Sequence, residues 1–295
     1  MKKFLYLSLA ALMVLAASCK KETPGGGDGP EVPVDPEIPA CQLPTTVWSG
    51  SWDFSMAGIP VPLKASLAFE DELVSLIFTS LEMRANEMPL VLNGHNAYRF
   101  EGTPDGSGQV SFTLSFQSSS QYFYLSETTF TGTFHPDSEV LDLHGTTENG
   151  DNPFGMKTLH FLKETNVTTQ TNPFPATKWT ASWSNDKTAL GIIPFSAILA
   201  FEGTTVNLVI ASEMTLNNVP VVMYGNGPYQ FQGLSETDRS GNLSFMVPTR
   251  ASTVFNIPET TFSGVYNPNS KVMTLKVSSE NSNALGTDAI KFVRN

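Results

Sequence analysis

Apolar and polar residues alternate along much of the chain. The alternation is clearest in 109–116 (QVSFTLSF), where every second residue is apolar, and it recurs in three further segments: 122–125, 140–143 and 159–162. A period of two is typical of a β-strand that buries one face and exposes the other. No segment stands out with the spacing that an amphipathic helix needs. The pattern therefore predicts an all-β protein.

The same pattern is written twice. ETTFTGTFHPDSEVLDL, which begins at Glu127, returns as ETTFSGVYNPNSKVMTL, which begins at Glu259. WSGSW, which begins at Trp48, likewise returns as WTASW, which begins at Trp179. Internal repetition on this scale indicates two copies of one folding unit.

The repeat predicts how the chain divides into domains. The two copies span 46–164 and 177–295, and 165–176 reads as a polar, Pro-containing linker. Each copy is long enough to bury a core of its own. Turn clusters such as TPDGSG, HPDSE and NPNSK fall at short intervals, as expected for hairpins. We predict eight or nine strands per copy, forming two tandem small antiparallel up-and-down β-barrels, because closure removes exposed edges.

The first eighteen residues read as a signal peptide, with Lys2 and Lys3 ahead of an apolar run. The run ends in AASC, which resembles a bacterial lipobox, and we expect Cys19 to be lipidated. An ordinary secretory signal is the alternative. Residues 19–45 are rich in Gly and Pro and predict a flexible tether. The chain is thus expected to be anchored to a membrane through lipid on Cys19, in the cell envelope and specifically at the outer membrane.

Composition limits the classes of partner. The formal net charge is −11, and charged residues make up 15% of the chain against 40% hydrophobic residues. An acidic balance argues against nucleic acid as a partner, because nucleic-acid binding calls for basic patches. The 20 phenylalanines supply enough apolar surface for sizeable cores.

One family resemblance follows from the first strand. Gly50-Ser51-Trp52 resembles the G-x-W signature of lipocalins and related calycins, and the chain as a whole resembles the calycin-like lipoproteins of unknown function found in gut Bacteroidetes. The resemblance implies that Trp52 and Trp183 close one end of each barrel. It also implies that a basic residue of the last strand, Lys163 or Arg294, packs across the tryptophan face as a cation–π contact.

Candidate catalytic residues are sparse. All four histidines lie in the first copy, and their counterparts in the second copy are Asn or Lys: His95, His135, His144 and His160. No catalytic or nucleotide-binding motif is present. We therefore expect no catalytic residue, metal site or cofactor, and a protein that is not an enzyme. A hydrolase or isomerase confined to the first copy is the least favoured alternative.

Residues that recur in both copies are the candidates for ligand contact, although packing would also explain them: Trp48, Trp179, Tyr98, Tyr229, Glu127 and Glu259. Two binding hypotheses follow. Each barrel holds a small apolar or amphipathic molecule in its interior, as calycins do. Alternatively, loops and outer faces bind a glycan or a protein partner.

Overall fold

The computed structural model describes residues 42–295 except 57–58, 86–87, 120–124, 170, 189–190, 217–218, 235–238, 249, 252–258 and 280–284. The predicted signal peptide, Cys19 and most of the tether lie outside the described residues. Within the described part of the chain, no helix is long and apolar enough to cross a membrane.

The first copy forms nine strands: β1 (Thr46–Met56), β2 (Ile59–Phe69), β3 (Leu73–Ala85), β4 (Met88–Gly102), β5 (Gly108–Leu114), β6 (Gln117–Ser118), β7 (Thr128–His135), β8 (Val140–Thr147) and β9 (Leu159–Thr168). All pairings are antiparallel, and eight strands form a ring that β1 and β9 close. The short β6 follows β5 and pairs with β4. The predicted up-and-down barrel is confirmed.

The second copy repeats this topology: β10 (Thr177–Thr188), β11 (Gly191–Glu202), β12 (Thr205–Leu216), β13 (Val219–Gly233), β14 (Gly241–Val247), β15 (Arg250–Ala251), β16 (Thr260–Asn267), β17 (Val272–Ser279) and β18 (Ala289–Arg294). A single 3₁₀ turn, Pro268–Ser270, joins β16 to β17. β10 and β18 close the second ring as β1 and β9 close the first.

Large side chains fill the described interior of each barrel. Burial alternates residue by residue along β5, as the sequence pattern predicts. Phe112 stacks on Phe130 and Phe245 stacks on Phe262, both with ring centroids 5.1 Å apart. Pairs of this kind stabilise a core by about 0.5–1.5 kcal/mol beyond the area they bury. The interiors are therefore packed cores over the described residues.

Two apolar residues outside the strands complete these cores. Leu43 precedes β1 and Phe174 precedes β10, and both are fully buried. Leu43 lies within the predicted tether, 19–45, and Phe174 lies within the predicted linker, 165–176. Phe174 stacks on Phe201 with centroids 4.7 Å apart. Each folded unit thus begins before its first strand, because burying this apolar side chain in the core is favourable.

Close approach of the backbone explains the glycine in the repeated stretch. Gly132 of β7 faces Leu143 of β8, and a Cβ there would lie 1.8 Å from the carbonyl oxygen of Asp142. A Cβ on Gly264 would lie 2.2 Å from the carbonyl oxygen of Thr274. Any other residue would force these strands apart. The stretch is repeated because the same tight hairpin is needed in each barrel.

The outer walls of the two barrels meet in a seam. A separate apolar cluster joins residues of the first barrel, the connecting segment and the second barrel: Val47, Ala68, Ile77, Val91, Ala176 and Ala200. The backbone N–H of Gly203 donates to the Ser66 hydroxyl across this seam at 3.1 Å. Outward-facing residues that alternation would expose to water are therefore buried by the other barrel.

Candidate functional site

A cavity of about 300 Å³ lies at the seam and is lined by both barrels. Its charged and polar lining includes residues of each: Glu70, Asn93, His95, Lys178, Lys271 and Arg294. A second cavity of about 590 Å³ shares Glu70 and Leu73 with it, so the two cavities adjoin each other. Neither is lined by the aromatic residues that fill the barrels.

Lys178 is a buried cation in the wall of this cavity. It lies on β10 and is 5% exposed. Its ammonium group makes no hydrogen bond or ion pair among the described residues, and burial lowers the pKa of Lys178 below its usual range. Its counterpart in the first copy is Val47, which precedes Trp48 as Lys178 precedes Trp179. A lysine thus stands where the first barrel has an apolar side chain.

Arg294 and Lys271 add two cations to the same wall. Arg294 Nη2 lies 3.9 Å from Glu70 Oε1 of the first barrel. The Arg294 guanidinium also hydrogen-bonds the Tyr266 hydroxyl, and burial raises the pKa of Tyr266 while the charge of Arg294 opposes that rise. Lys271 is exposed, and its carbonyl accepts the Arg294 backbone N–H at 3.0 Å. Among the described residues, three cationic side chains therefore line the cavity against one acidic side chain, that of Glu70.

The facing wall comes from β3 and β4. Ser75 lies opposite His95 and Ile77 lies opposite Asn93 in this antiparallel pair. Asn93 is 5% exposed, and its Oδ1 has no hydrogen-bond partner among the described residues. Ser75, His95 and Asn93 all line the cavity. This wall presents polar groups that can bind hydroxyls.

Glu202 is the most deeply buried carboxyl at the seam. Its Oε2 accepts hydrogen bonds from the Thr79 hydroxyl at 2.7 Å and from the Asn207 amide at 3.2 Å. Its Oε1 has no partner among the described residues. Burial raises the pKa of Glu202, and these two hydrogen bonds and the charge of Lys64 only partly oppose the rise. This carboxyl joins the barrels and does not line either cavity.

The tryptophans that were candidates for ligand contact are inaccessible. Trp48 and Trp179 are 0% exposed. The Trp48 Nε1–H donates to the Thr46 hydroxyl at 2.8 Å, and the Trp179 Nε1–H donates to the Thr177 hydroxyl at 3.0 Å. Their indole groups are satisfied within their own strands, so no ligand contact is left for them.

Strand register changes which tryptophan faces the basic residue. Lys163 lies opposite Trp48, and Arg294 lies opposite Trp179. Trp48 and Trp179 are each four positions before the tryptophan that the resemblance names. Lys163 instead pairs with Glu139 at 3.1 Å. No cation stacks on a tryptophan among the described residues. The reason is that the last strand reaches the first only near its beginning.

Trp52 and Trp183 pack inside the barrels against phenylalanines. Trp52 makes edge contacts with Phe78 and Phe161, both at 5.9 Å between centroids. Trp183 stacks on Phe195 at 5.5 Å, and its Nε1–H donates to the Leu285 carbonyl at 3.0 Å. Both tryptophans are partly exposed, so they lie nearer a barrel end than their buried neighbours.

The remaining candidates do not converge. Tyr98 packs on Phe69 at 4.8 Å, and the Tyr229 hydroxyl donates to the Gly203 carbonyl at 2.7 Å. Glu127 and Glu259 are exposed, lie just before β7 and β16, and are absent from the described lining of both cavities. They form no common site with the tyrosines.

The four histidines of the first copy do not gather in one site, although two of them share the Asp142 carboxylate. His160 Nδ1 lies 2.5 Å and His135 Nε2 lies 3.7 Å from the Asp142 carboxylate, on the exposed outer wall. His144 contacts a backbone carbonyl, and His95 lines the seam cavity. Among the described residues, no group of three or more His, Cys, Asp or Glu side chains is arranged to hold a metal ion.

Sequence reasoning missed Lys178 and Asn93. The available signal was a break in the repeat, since a lysine replaces the valine of the first copy next to an otherwise repeated tryptophan. Comparison with protein-family models, with curated proteins and with solved structures found no match for this chain.

Proposed function

We propose that the chain is a non-enzymatic binding protein of the bacterial cell envelope that recognises a glycan or a small polar ligand at the seam between its barrels. The observation that carries this proposal is the position of the cavities. Both lie where the barrels meet, whereas packed side chains occupy the described interiors. Ligand sites are typically concave and place a few polar groups toward the ligand, as this seam does.

An apolar ligand inside each barrel is the rival function. Fully buried aromatic residues occupy the space that such a ligand would need: Trp48, Phe78, Phe130, Phe161, Trp179, Phe201, Phe262 and Phe292. Close-packed protein interiors have few voids larger than a water molecule. The filled cores weigh against this rival and favour recognition at the outer surface.

The envelope location is part of the proposal. It rests on the apolar leader, the lipobox-like AASC and the Gly/Pro-rich tether that follows Cys19. Several acyl chains on one cysteine would hold the protein stably at a membrane. We propose lipid anchoring at the outer membrane, as in the calycin-like lipoproteins that the sequence resembles.

The decisive experiment compares the two binding modes on one sample. The chain from Lys20 onward, purified without detergent from its own host, is applied to a glycan array and examined by native mass spectrometry. We expect glycan binding and an intact mass with no co-purified apolar molecule. A stoichiometric apolar ligand, together with a blank array, would overturn the proposal in favour of interior binding.

A further inference from the structure

We infer that the seam cavity binds a small molecule that carries one carboxylate beside hydroxyl groups, such as the acidic sugar residue of a glycan. Lys178 and Arg294 hold the carboxylate, and Asn93 accepts a hydroxyl of the ligand. This inference rests on the proposed function, because it names the ligand class of the same seam. It makes the binding residues and the charge of the ligand testable.

Lys178 is the strongest single observation. Removing an ammonium group from water without an opposite charge is costly, and buried lysines normally have a partner. Lys178 has none among the described residues and lines the cavity. The valine at the matching position of the first barrel shows that an apolar side chain fits such a wall. A bound anion would supply the missing partner.

Arg294 has donors to spare. A charge-assisted hydrogen bond between a guanidinium and a carboxylate is about 2.7–2.9 Å long. The 3.9 Å separation from Glu70 is longer than that, so Glu70 does not occupy the Arg294 donors at full strength. A planar guanidinium matches the two oxygens of a carboxylate. Arg294 can therefore take the ligand carboxylate beside Lys178.

The opposite wall fits a hydroxylated ligand. Asn93 Oδ1 is a buried acceptor that has no hydrogen-bond partner in the described part of the chain, and a sugar O–H would satisfy it. Ser75 and His95 lie next to each other on the same two strands and offer further hydrogen bonds. The volume of about 300 Å³ lies at the lower end for small-molecule sites. The cavity thus suits a ligand of about one sugar residue.

Neighbouring carboxylates favour a single negative charge. Asp71 and Glu72 are exposed and line the adjoining cavity together with Glu70, and these three carboxylates outnumber the one cation of its described lining, Arg239. Charges within about 8 Å act on one another at physiological salt. A dianion or polyanion would be repelled from this side more strongly than a monoanion. We therefore choose a carboxylate over a phosphate.

Isothermal titration calorimetry of the chain from Lys20 onward tests the ligand class. The probes are D-glucuronate, D-glucose, acetate and inorganic phosphate. We expect glucuronate to bind at least about tenfold more tightly than each of the others, as the loss of one charged hydrogen bond predicts. Equal binding of glucose would overturn the role of the carboxylate. Equal binding of acetate would overturn the hydroxyl contacts, and tighter binding of phosphate would overturn the choice of a monoanion.

Lys178→Val tests the site. It installs the residue of the first barrel, so the protein should remain folded by circular dichroism while glucuronate affinity falls at least about tenfold. Lys276→Met removes an exposed lysine elsewhere on the second barrel and should leave affinity unchanged. Unchanged binding to a folded Lys178→Val would overturn the inference. Glycan-array binding without glucuronate binding would overturn the inference alone, whereas a blank array together with a stoichiometric apolar ligand would also overturn the proposed function.

Discussion

The Thr79 hydroxyl of the first barrel donates a 2.7 Å hydrogen bond to the Glu202 carboxylate of the second. Both residues are buried, although both lie on outer faces of their barrels. A buried carboxylate is tolerated only where neighbours hydrogen-bond it. The two barrels are therefore joined by a specific polar contact as well as by the apolar cluster beside it.

Thr79→Val should lower the free energy of unfolding by about 1–3 kcal/mol, because it leaves Glu202 buried with one fewer donor. Urea denaturation measures the change. Thr146→Val, on an exposed position of β8, is the matched control and should be nearly neutral. Equal effects of the two substitutions would show that the seam contact adds no stability.

Glu202→Gln should remove a pH dependence of stability. Burial raises the pKa of Glu202 above its ordinary value of 4.5. Between that value and the raised one, the folded protein keeps a proton that the unfolded chain has lost. The stabilisation is therefore complete below 4.5 and is lost as the pH rises through the raised pKa. Unfolding free energies from pH 4 to 8 should lose this slope in Glu202→Gln but not in Glu127→Gln, an exposed control.

Lys178→Val should raise the free energy of unfolding at neutral pH by about 1–3 kcal/mol, because it removes a buried ammonium group that has no partner among the described residues. Burial lowers the pKa of Lys178 from its ordinary value of 10.5. Between the lowered pKa and 10.5 the unfolded chain binds more protons, so the free energy of unfolding of the unsubstituted protein rises with pH there. Urea titrations up to pH 10.5 should show that rise, and the same slope in Lys178→Val would contradict it.

Gly132→Ala should destabilise the first barrel by about 3 kcal/mol or more, since the added methyl would meet backbone that cannot move aside cheaply. Gly233→Ala is the control, because its Cβ would have no atom closer than 4.0 Å. Thermal unfolding monitored by circular dichroism separates the two. A fully stable Gly132→Ala would mean that the β7–β8 hairpin can open without cost.

Phe130→Ala should cost about 3–5 kcal/mol and open a cavity in the first barrel. An apolar cavity of that kind binds benzene. Tight benzene binding by the variant but not by the unsubstituted protein, followed by NMR, is the expected result. Leu162→Ala, at a position 61% exposed, should change neither property. Benzene binding by the unsubstituted protein would show that its interior is hollow.

Local pattern accounts for most of the fold. The two-residue period identifies strands such as β5 because a strand points successive side chains to opposite faces. The repeat of Glu127–Leu143 at 259–275 identifies two copies of one unit, since the same hairpin closes each ring. Strand number and the need to remove edges then lead to closed barrels.

The alternation and the repeat do not predict the register between the first and last strands of a barrel, nor the seam between the barrels. The resemblance named Trp52 as the partner of Lys163, but the pairing of β1 with β9 puts Trp48 there. Which residues face one another depends on the register of two strands that are distant in sequence, and that register is set by how their side chains pack.

The candidate site depends on the same kind of distant contact. The alternation along β10 places Lys178 on the outer face of its barrel, where a side chain is normally solvated. Lys178 is buried because the other barrel covers that wall. Alternation predicts which face of a sheet packs on the core of its own barrel. It does not predict whether another barrel packs on the outer face. The amino-acid sequence alone is therefore enough to predict the fold class and the repeat. The cavity follows only from the folded structure, because it forms between two surfaces whose residues are far apart in sequence.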